Sequence, residues 1–218
     1  MTLTVPEGAK LVLATHNAHK LDELRAILAP VVTGWDDRWV ISAAGIDAPE
    51  PVEDGVTFTQ NAFIKAQALC DATGLPAVAD DSGITVDVLG GAPGIFSARW
   101  CGHHGDDQAN LDLLLAQLAD VPDEHRQAAF VSAAALVTPG GIRRSALGEV
   151  RGHLIRERRG TGGFGYDPIF IPDGYDVTTA EMSAEEKNAI SHRGKSFRQL
   201  APVIAAVLET GPFASDLP

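Results

Sequence analysis

At 218 residues and 45% hydrophobic content, the chain is long enough to bury a sizeable core, as one large domain or a compact two-lobed one. Its formal net charge of −12 argues against a duplex nucleic-acid binder, which normally shows a basic face; a polyanionic ligand would need a local Lys and Arg cluster, a metal ion, or both. No apolar run approaches the ~18 residues of a membrane span, residues 1–10 lack the basic-then-apolar order of a secretory leader, and the two cysteines, Cys70 and Cys101, have no CxxC spacing. A cytoplasmic protein without a membrane partner is the expectation.

In chain order, residues 10–14 read as a short buried strand, followed by the polar turn Thr15-His-Asn-Ala-His-Lys20 and a helix with Leu21, Leu24 and Leu28 on one face. Strand, turn and helix in that order put the turn at a helix N-terminus, where unpaired N–H groups favour an anion. An ordinary N-cap with a solvated Lys20 is the plainer alternative. The Walker A pattern is missing. Residues 46–55 form an acidic, proline-bearing loop that carries Glu50, Glu53 and Asp54. Thr57-Phe-Thr-Gln60 has the form of a capping box opening a helix to about Thr73, which Gly74 stops; Asn61 and Lys65 lie four apart beside its apolar stripe.

The run Ala79-Asp80-Asp81-Ser82-Gly83 is flanked by apolar β-type residues, so two adjacent carboxylates are expected at a strand end, with a strand resuming over residues 84–89. Neighbouring carboxylates repel unless a cation or shared proton neutralises them; a plain polar turn between strands is the alternative. Gly90-Gly-Ala-Pro-Gly94 must turn sharply, residues 106–119 form an amphipathic helix, and residues 128–137 and 143–155 read as an antiparallel pair. Gly160-Thr-Gly-Gly-Phe-Gly-Tyr-Asp-Pro168 would make a poor strand and a poor core; it suits a loop laying rings against a flat ligand, or a simple glycine-rich turn. Ser183-Ala-Glu-Glu186 is a second capping box, residues 191–195 interrupt its helix, and a last helix runs to about Thr210. The expected architecture is a single α/β domain over residues 1–218, with a smaller lobe at roughly 128–170.

Carboxylates at Asp80, Asp81 and Glu53, cations at Lys20, Lys65, Lys187 and Arg193, and aromatics in glycine-rich turns make an inventory for holding a triphosphate on a divalent cation with a base stacked nearby. Six segments, taken in order over residues 10–200, closely resemble the non-canonical purine nucleoside triphosphate pyrophosphatases. They are the Thr15–Lys20 turn, Glu53-Asp-Gly-Val-Thr-Phe-Thr-Gln-Asn-Ala62 with Lys65, Ala79-Asp-Asp-Ser-Gly83, Gly90-Gly-Ala-Pro-Gly94 with Arg99, Gly162-Gly-Phe-Gly-Tyr-Asp-Pro168, and Lys187 with Ser191-His-Arg-Gly194. The resemblance implies hydrolysis of ITP, dITP and XTP to monophosphate and pyrophosphate, clearing deaminated purines from the nucleotide pool. It implies an elongated, twisted, mixed β-sheet flanked by helices in two lobes with a central substrate cleft, Mg²⁺ dependence, and a homodimer.

Carried over by position, Thr15, His16, Asn17, Ala18, His19 and Lys20 form the phosphate turn and Lys65 assists. Asp81 is the catalytic carboxylate and metal contact, with Glu53 and Asp80 as further metal or water partners. Ser82 lies beside the substrate, Phe164, Gly165 and Tyr166 form the stacking loop, and Asp167, Lys187, His192 and Arg193 read the base edge or bind phosphate. His16 departs from the small residue common at that position. Two rivals remain from sequence: a hydrolase using Asp80 or Asp81 as covalent phosphoryl acceptor, and a non-catalytic nucleotide-binding module.

Overall fold

Strand β1 (Leu11–Leu13) is buried on both faces, and its alternating side chains set up two apolar layers. In the computed structural model, which describes residues 3–15, 17–48 and 50–211, Leu11 and Leu13 enter one cluster with Leu24 and Leu28 of α1 (Ala18–Leu28) and with Phe197, Leu200 and Ile204 of α5 (His192–Thr210). Val12 points the other way, to Ala66, Leu69 and Cys70 of α2 (Phe58–Thr73). Each fully buried Leu on these faces contributes on the order of 1.5–3 kcal/mol.

The sheet is mixed and six-stranded, in the order β2-β1-β3-β4-β5-β6. Strand β1 runs parallel to β2 (Val40–Ser42) and to β3 (Ala77–Val86), and β5 (Arg143–Leu154) runs antiparallel to β6 (Phe170–Pro172). Strand β4 is Gln127–Val137. Helices α3 (Asp107–Gln117) and α4 (Ala184–Ile190) are the other α-helices among the described residues. The fold is thus α/β with a mixed, helix-flanked sheet.

The chain divides into two compact units. The first holds the residues up to Asp81, Ala133–Leu147 and those from Arg193 on; the second holds Ser82–Ser132 and Gly148–His192. Residues 128–132 and 148–170 of the expected smaller lobe fall in the second unit, and residues 133–147 in the first.

Most helix ends follow their caps. The Thr57 hydroxyl accepts the Gln60 N–H at 3.1 Å, and Gly74 closes α2 at φ +69°. The expected box is half-formed: the Gln60 side chain accepts the Val56 N–H at 2.7 Å. At Ser183 the box is complete. Residues 191–195 do not form an interruption. Only Ser191 separates α4 from α5, which begins at His192.

Residues 80–83 are the interior of a strand and not the expected strand end. No turn occurs there: β3 runs for ten residues through Asp80, Asp81, Ser82 and Gly83, and a 3-10 turn occupies Asp87–Leu89, where strand was expected. Partners from distant segments replace the local side-chain bonds of a turn. In the second unit, the Ser97 Oγ accepts the Ile84 N–H at 2.9 Å and itself donates to the Gly94 carbonyl at 2.6 Å. Ser97 packs so closely that a Cβ built on Gly83 would lie 2.4 Å from its Oγ. Glycine there serves close approach.

Candidate active site

Alternation along β3 separates the two carboxylates. Val78 shares the α1/α5 layer and Ala77 and Ala79 share the α2 layer. Period-two geometry therefore sends Asp80 toward α1 and Asp81 toward α2. Asp80 is fully buried in its side chain, and both its oxygens accept from the Lys20 ammonium, at 3.0 and 2.8 Å. Burial works against its charge, but Lys20, Arg193 and Lys65 outweigh that and hold the Asp80 carboxyl below its ordinary range.

Asp81 meets a different set. Its Oδ2 accepts from Asn61 Nδ2 at 3.1 Å, and its Oδ1 lies 3.5 Å from Lys65 Nζ. Lys65 also reaches Glu53 Oε1 at 3.1 Å, so two carboxylates share one ammonium. Burial pushes the Asp81 carboxyl up; Lys65 and the Asn61 amide restrain that rise, while Glu53 and Asp80 add to it. Burial of Lys65 opposes its charge, but Asp81, Asp80 and Glu53 prevail and raise its pKa. A concavity of about 160 Å³ in the first unit is lined by Thr15, Lys20, Glu53, Lys65 and Asp80.

Asn17 is the N-cap of α1: its Oδ1 accepts the His19 N–H at 2.9 Å, and the Thr15 hydroxyl accepts the Asn17 N–H at 3.0 Å. Ala18 opens the helix, with His19 exposed beside it. The expectation for His16 falls outside the described residues. Arg193 belongs to this unit, its Nε donating to Glu23 Oε2 at 2.7 Å.

Among the described residues no three His, Cys, Asp or Glu side chains form a metal cage. What is present suits a hard cation that keeps waters and phosphate oxygens in its sphere: oxygen donors from Asp81 and Glu53, held by a lysine that a cation can displace. Asp80, with both oxygens on Lys20, stands apart from that donor pair.

The second unit carries Phe164, a residue 66% exposed, with the Lys187 ammonium 5.0 Å from its ring centroid. Asp167 is buried beneath this loop. Its Oδ2 accepts the Phe164 N–H at 2.8 Å and pairs with Lys187, while its Oδ1 accepts the Thr179 hydroxyl at 2.7 Å. Asp167 thus shapes the loop from inside. Gly163, at φ +71°, leaves the room it needs, since a Cβ there would lie 2.1 Å from Asp167 Oδ2.

Asp107, which the sequence reading missed, accepts the Gly165 N–H at 3.0 Å. Tyr166 is a core residue despite its glycine-rich surroundings: it packs with Ile84, Leu114 and Phe170, and its hydroxyl donates to the Ser97 carbonyl at 2.8 Å. That partner satisfies the polar end of a buried ring. His192 stacks on Phe130, ring centroids 5.2 Å apart. Ser82 is half-buried on β3.

Fold and site together mark an α/β protein with an acidic, lysine-bridged centre and an aromatic glycine-rich loop. The model of the Ham1 family matches residues 11–203, and the chain belongs to that family. It is 61% identical over 199 residues to a dITP/XTP pyrophosphatase of Streptomyces coelicolor, covering 91% of this chain and 98% of that protein. It is 55% identical over 202 residues to a dITP/XTP pyrophosphatase of Leifsonia xyli, covering 93% and 98%. Among solved structures, it is similar to a nucleoside-triphosphatase / dITP/XTP pyrophosphatase of Mycobacterium abscessus (49% identity, TM-score 0.74, 88% and 99% covered). A HAM1 protein of Coxiella burnetii is also similar (38% identity, TM-score 0.82, 91% and 99% covered). No helix among the described residues is long and apolar enough to cross a membrane.

Proposed function

We propose that the protein hydrolyses the non-canonical purine nucleoside triphosphates ITP, dITP and XTP to the monophosphate and pyrophosphate, clearing deaminated purines from the nucleotide pool. The observation that carries the reading is the pair Asp81 and Glu53 sharing the Lys65 ammonium beside a concavity that Lys20 also lines. Membership of a family whose relatives are named for this activity supports it.

Thr15, Asn17, Lys20 and Lys65 take the triphosphate, the lysines accepting charge as pyrophosphate departs. Asp81 orients the attacking water and accepts its proton, with Ser82 beside the substrate. Asp81 and Glu53 would hold Mg²⁺, which when bound supplies a Lewis acid for the phosphate chain. Asp80 acts through Lys20, which its two oxygens fix. Phe164 stacks on the base, with Gly165, Tyr166, Asp167 and Lys187 setting the ring. His192 and Arg193 supply the donors to O6; a donor facing a 6-amino group would be left unpaired, which disfavours ATP. The protein acts in the cytoplasm as a homodimer on free nucleotides, with no nucleic-acid substrate.

The test is to titrate ITP with and without Mg²⁺ and identify the product. Mg²⁺-dependent pyrophosphate release is expected. Orthophosphate with a trapped phospho-aspartate would move the reading to covalent phosphoryl transfer, and binding without turnover to a nucleotide-binding module. Asp81→Asn should abolish turnover yet retain nucleotide binding.

A further inference from the structure

Asn61 sits one turn into α2 with 1% of its surface exposed, and both ends of its amide are used. Nδ2 donates to Asp81 Oδ2 at 3.1 Å, and Oδ1 accepts the Gly55 N–H at 2.9 Å. A carboxylate only accepts and a backbone N–H only donates, so one amide orientation alone satisfies both neighbours. Gly55 lies two residues beyond Glu53. The loop at Gly55 is pressed onto Asn61 so closely that a Cβ on Gly55 would lie 2.6 Å from Asn61 Oδ1 and 2.8 Å from Gln60 Cβ. Gln60 adds a second tie through the Val56 N–H. One turn on, Lys65 bridges the same loop and the same carboxylate, through Glu53 and Asp81.

We infer that Asn61 is a positioning residue, a two-ended strut that sets the Glu53 loop against the Asp81 carboxylate. The inference rests on the reading of these two carboxylates as the acidic centre of the reaction. Lys65 alone would not hold that geometry, because a flexible four-carbon stem lets its ammonium follow either carboxylate. Lys65 is also the contact that an incoming cation competes with. The neutral, buried amide is immune to that competition, so it keeps the two carboxylates in register while their charge partner changes. Aspartate would match Asn61 in shape but set a carboxylate against Asp81; leucine would leave both polar partners unsatisfied.

Three variants test this by amide hydrogen exchange at Gly55, by Mn²⁺ binding in the presence of pyrophosphate (followed by electron paramagnetic resonance), and by steady-state kinetics with ITP. Asn61→Ala should speed exchange at Gly55 and lower both Mn²⁺ affinity and kcat about 10–100-fold, the range for outer-shell partners. The KM for ITP should stay within about threefold, since the phosphate and base contacts remain. Asn61→Asp should retain slow Gly55 exchange, because an acceptor remains, yet lose kcat to a similar extent. Gly55→Ala, which pushes the loop off the amide without touching Asp81, should lose Mn²⁺ affinity as Asn61→Ala does.

A folded Asn61→Ala with wild-type Gly55 exchange and Mn²⁺ affinity would overturn the inference, as would a fully active Asn61→Asp. If Asn61→Ala does not fold, Gly55→Ala decides: wild-type Mn²⁺ affinity there overturns it. A wild-type protein inert toward ITP that still showed the exchange and Mn²⁺ differences would sink the proposed activity and leave the strut in place.

Discussion

Replacing Lys65 by methionine removes the cation that Glu53 and Asp81 share and keeps its aliphatic bulk. The side chains of Lys65 and Asp81 are 17% and 14% exposed, so Asp81 is left as a largely buried carboxylate without its ammonium, while Glu53, at 33%, retains more water. Removing one partner of a buried pair costs about 3–5 kcal/mol and of an exposed pair about 0.2–1 kcal/mol. The partial exposure here places Lys65→Met at about 2–3 kcal/mol without Mg²⁺. In urea that lowers the unfolding midpoint by roughly 1 M, at a slope of about 2–3 kcal/mol/M. The decisive control is Lys65→Met with Glu53→Gln: one of the two facing negative charges is gone, so the double variant should be more stable than Lys65→Met by about 1 kcal/mol. A single variant within about 0.5 kcal/mol of wild type, or a double variant less stable than the single, would refute the shared-cation account.

Gly83→Ala should cost about 2–4 kcal/mol in urea unfolding by displacing Ser97 from the Ile84 N–H, and adding Ser97→Gly should recover only part, because the Gly94 carbonyl stays 2.6 Å from the new methyl. Full additivity would mean the two residues do not collide. Phe164→Ala should raise the KM for ITP by about tenfold or more, from about 1–3 kcal/mol of lost base stacking, with an unchanged melting temperature, since the ring is exposed; an unchanged KM would remove its stacking role. Arg126→Met should destabilise by at least about 3 kcal/mol, as the buried guanidinium donates to the carbonyls of Leu118, Leu154 and Ile155 and methionine donates to none.

The Glu186 carboxyl, accepting from the Ser183 N–H and hydroxyl, is held below its ordinary value of 4.5. A depressed folded value means that this cap stabilises α4 fully above the unfolded pKa and is lost as pH falls through the folded one. Carbon-detected titration of Glu186 should show the depression, and Glu186→Gln should abolish the acid-side change in α4 amide shifts.

Local signals in the sequence carried a good part of the fold. Thr57 and Ser183 each accept a backbone N–H from the third residue of their helices, and Gly74 ends α2, because a cap is decided within a few residues. The glycines around Tyr166 suggest a ligand-facing ring, and the family resemblance implies the same for Asp167. Their burial depends on the Ser97 carbonyl and the Thr179 hydroxyl, from segments no local pattern connects. Asn61 was visible as a neighbour of Lys65 four residues on. Its role depends on Gly55 folding back onto α2, which the Gly55 N–H bond and the missing space for a Cβ reveal and no local pattern in the sequence does.

The adjacent carboxylates show where local reading stops. Two aspartates followed by serine and glycine carry the composition of a turn, and a turn would have brought both charges to one side with mutual repulsion as the governing term. A strand does the opposite, since neighbouring residues face opposite layers. Asp80 goes to Lys20 and becomes an internal anchor for α1. Asp81 goes to Asn61 and Lys65, keeps some contact with solvent, and has its carboxyl raised rather than lowered. The division of labour between two chemically identical neighbours therefore follows from the pleat. Moving the pair by one residue along β3 would exchange the layers they face, sending the carboxylate that now meets Asn61 and Lys65 under α1 and the Lys20 anchor toward α2.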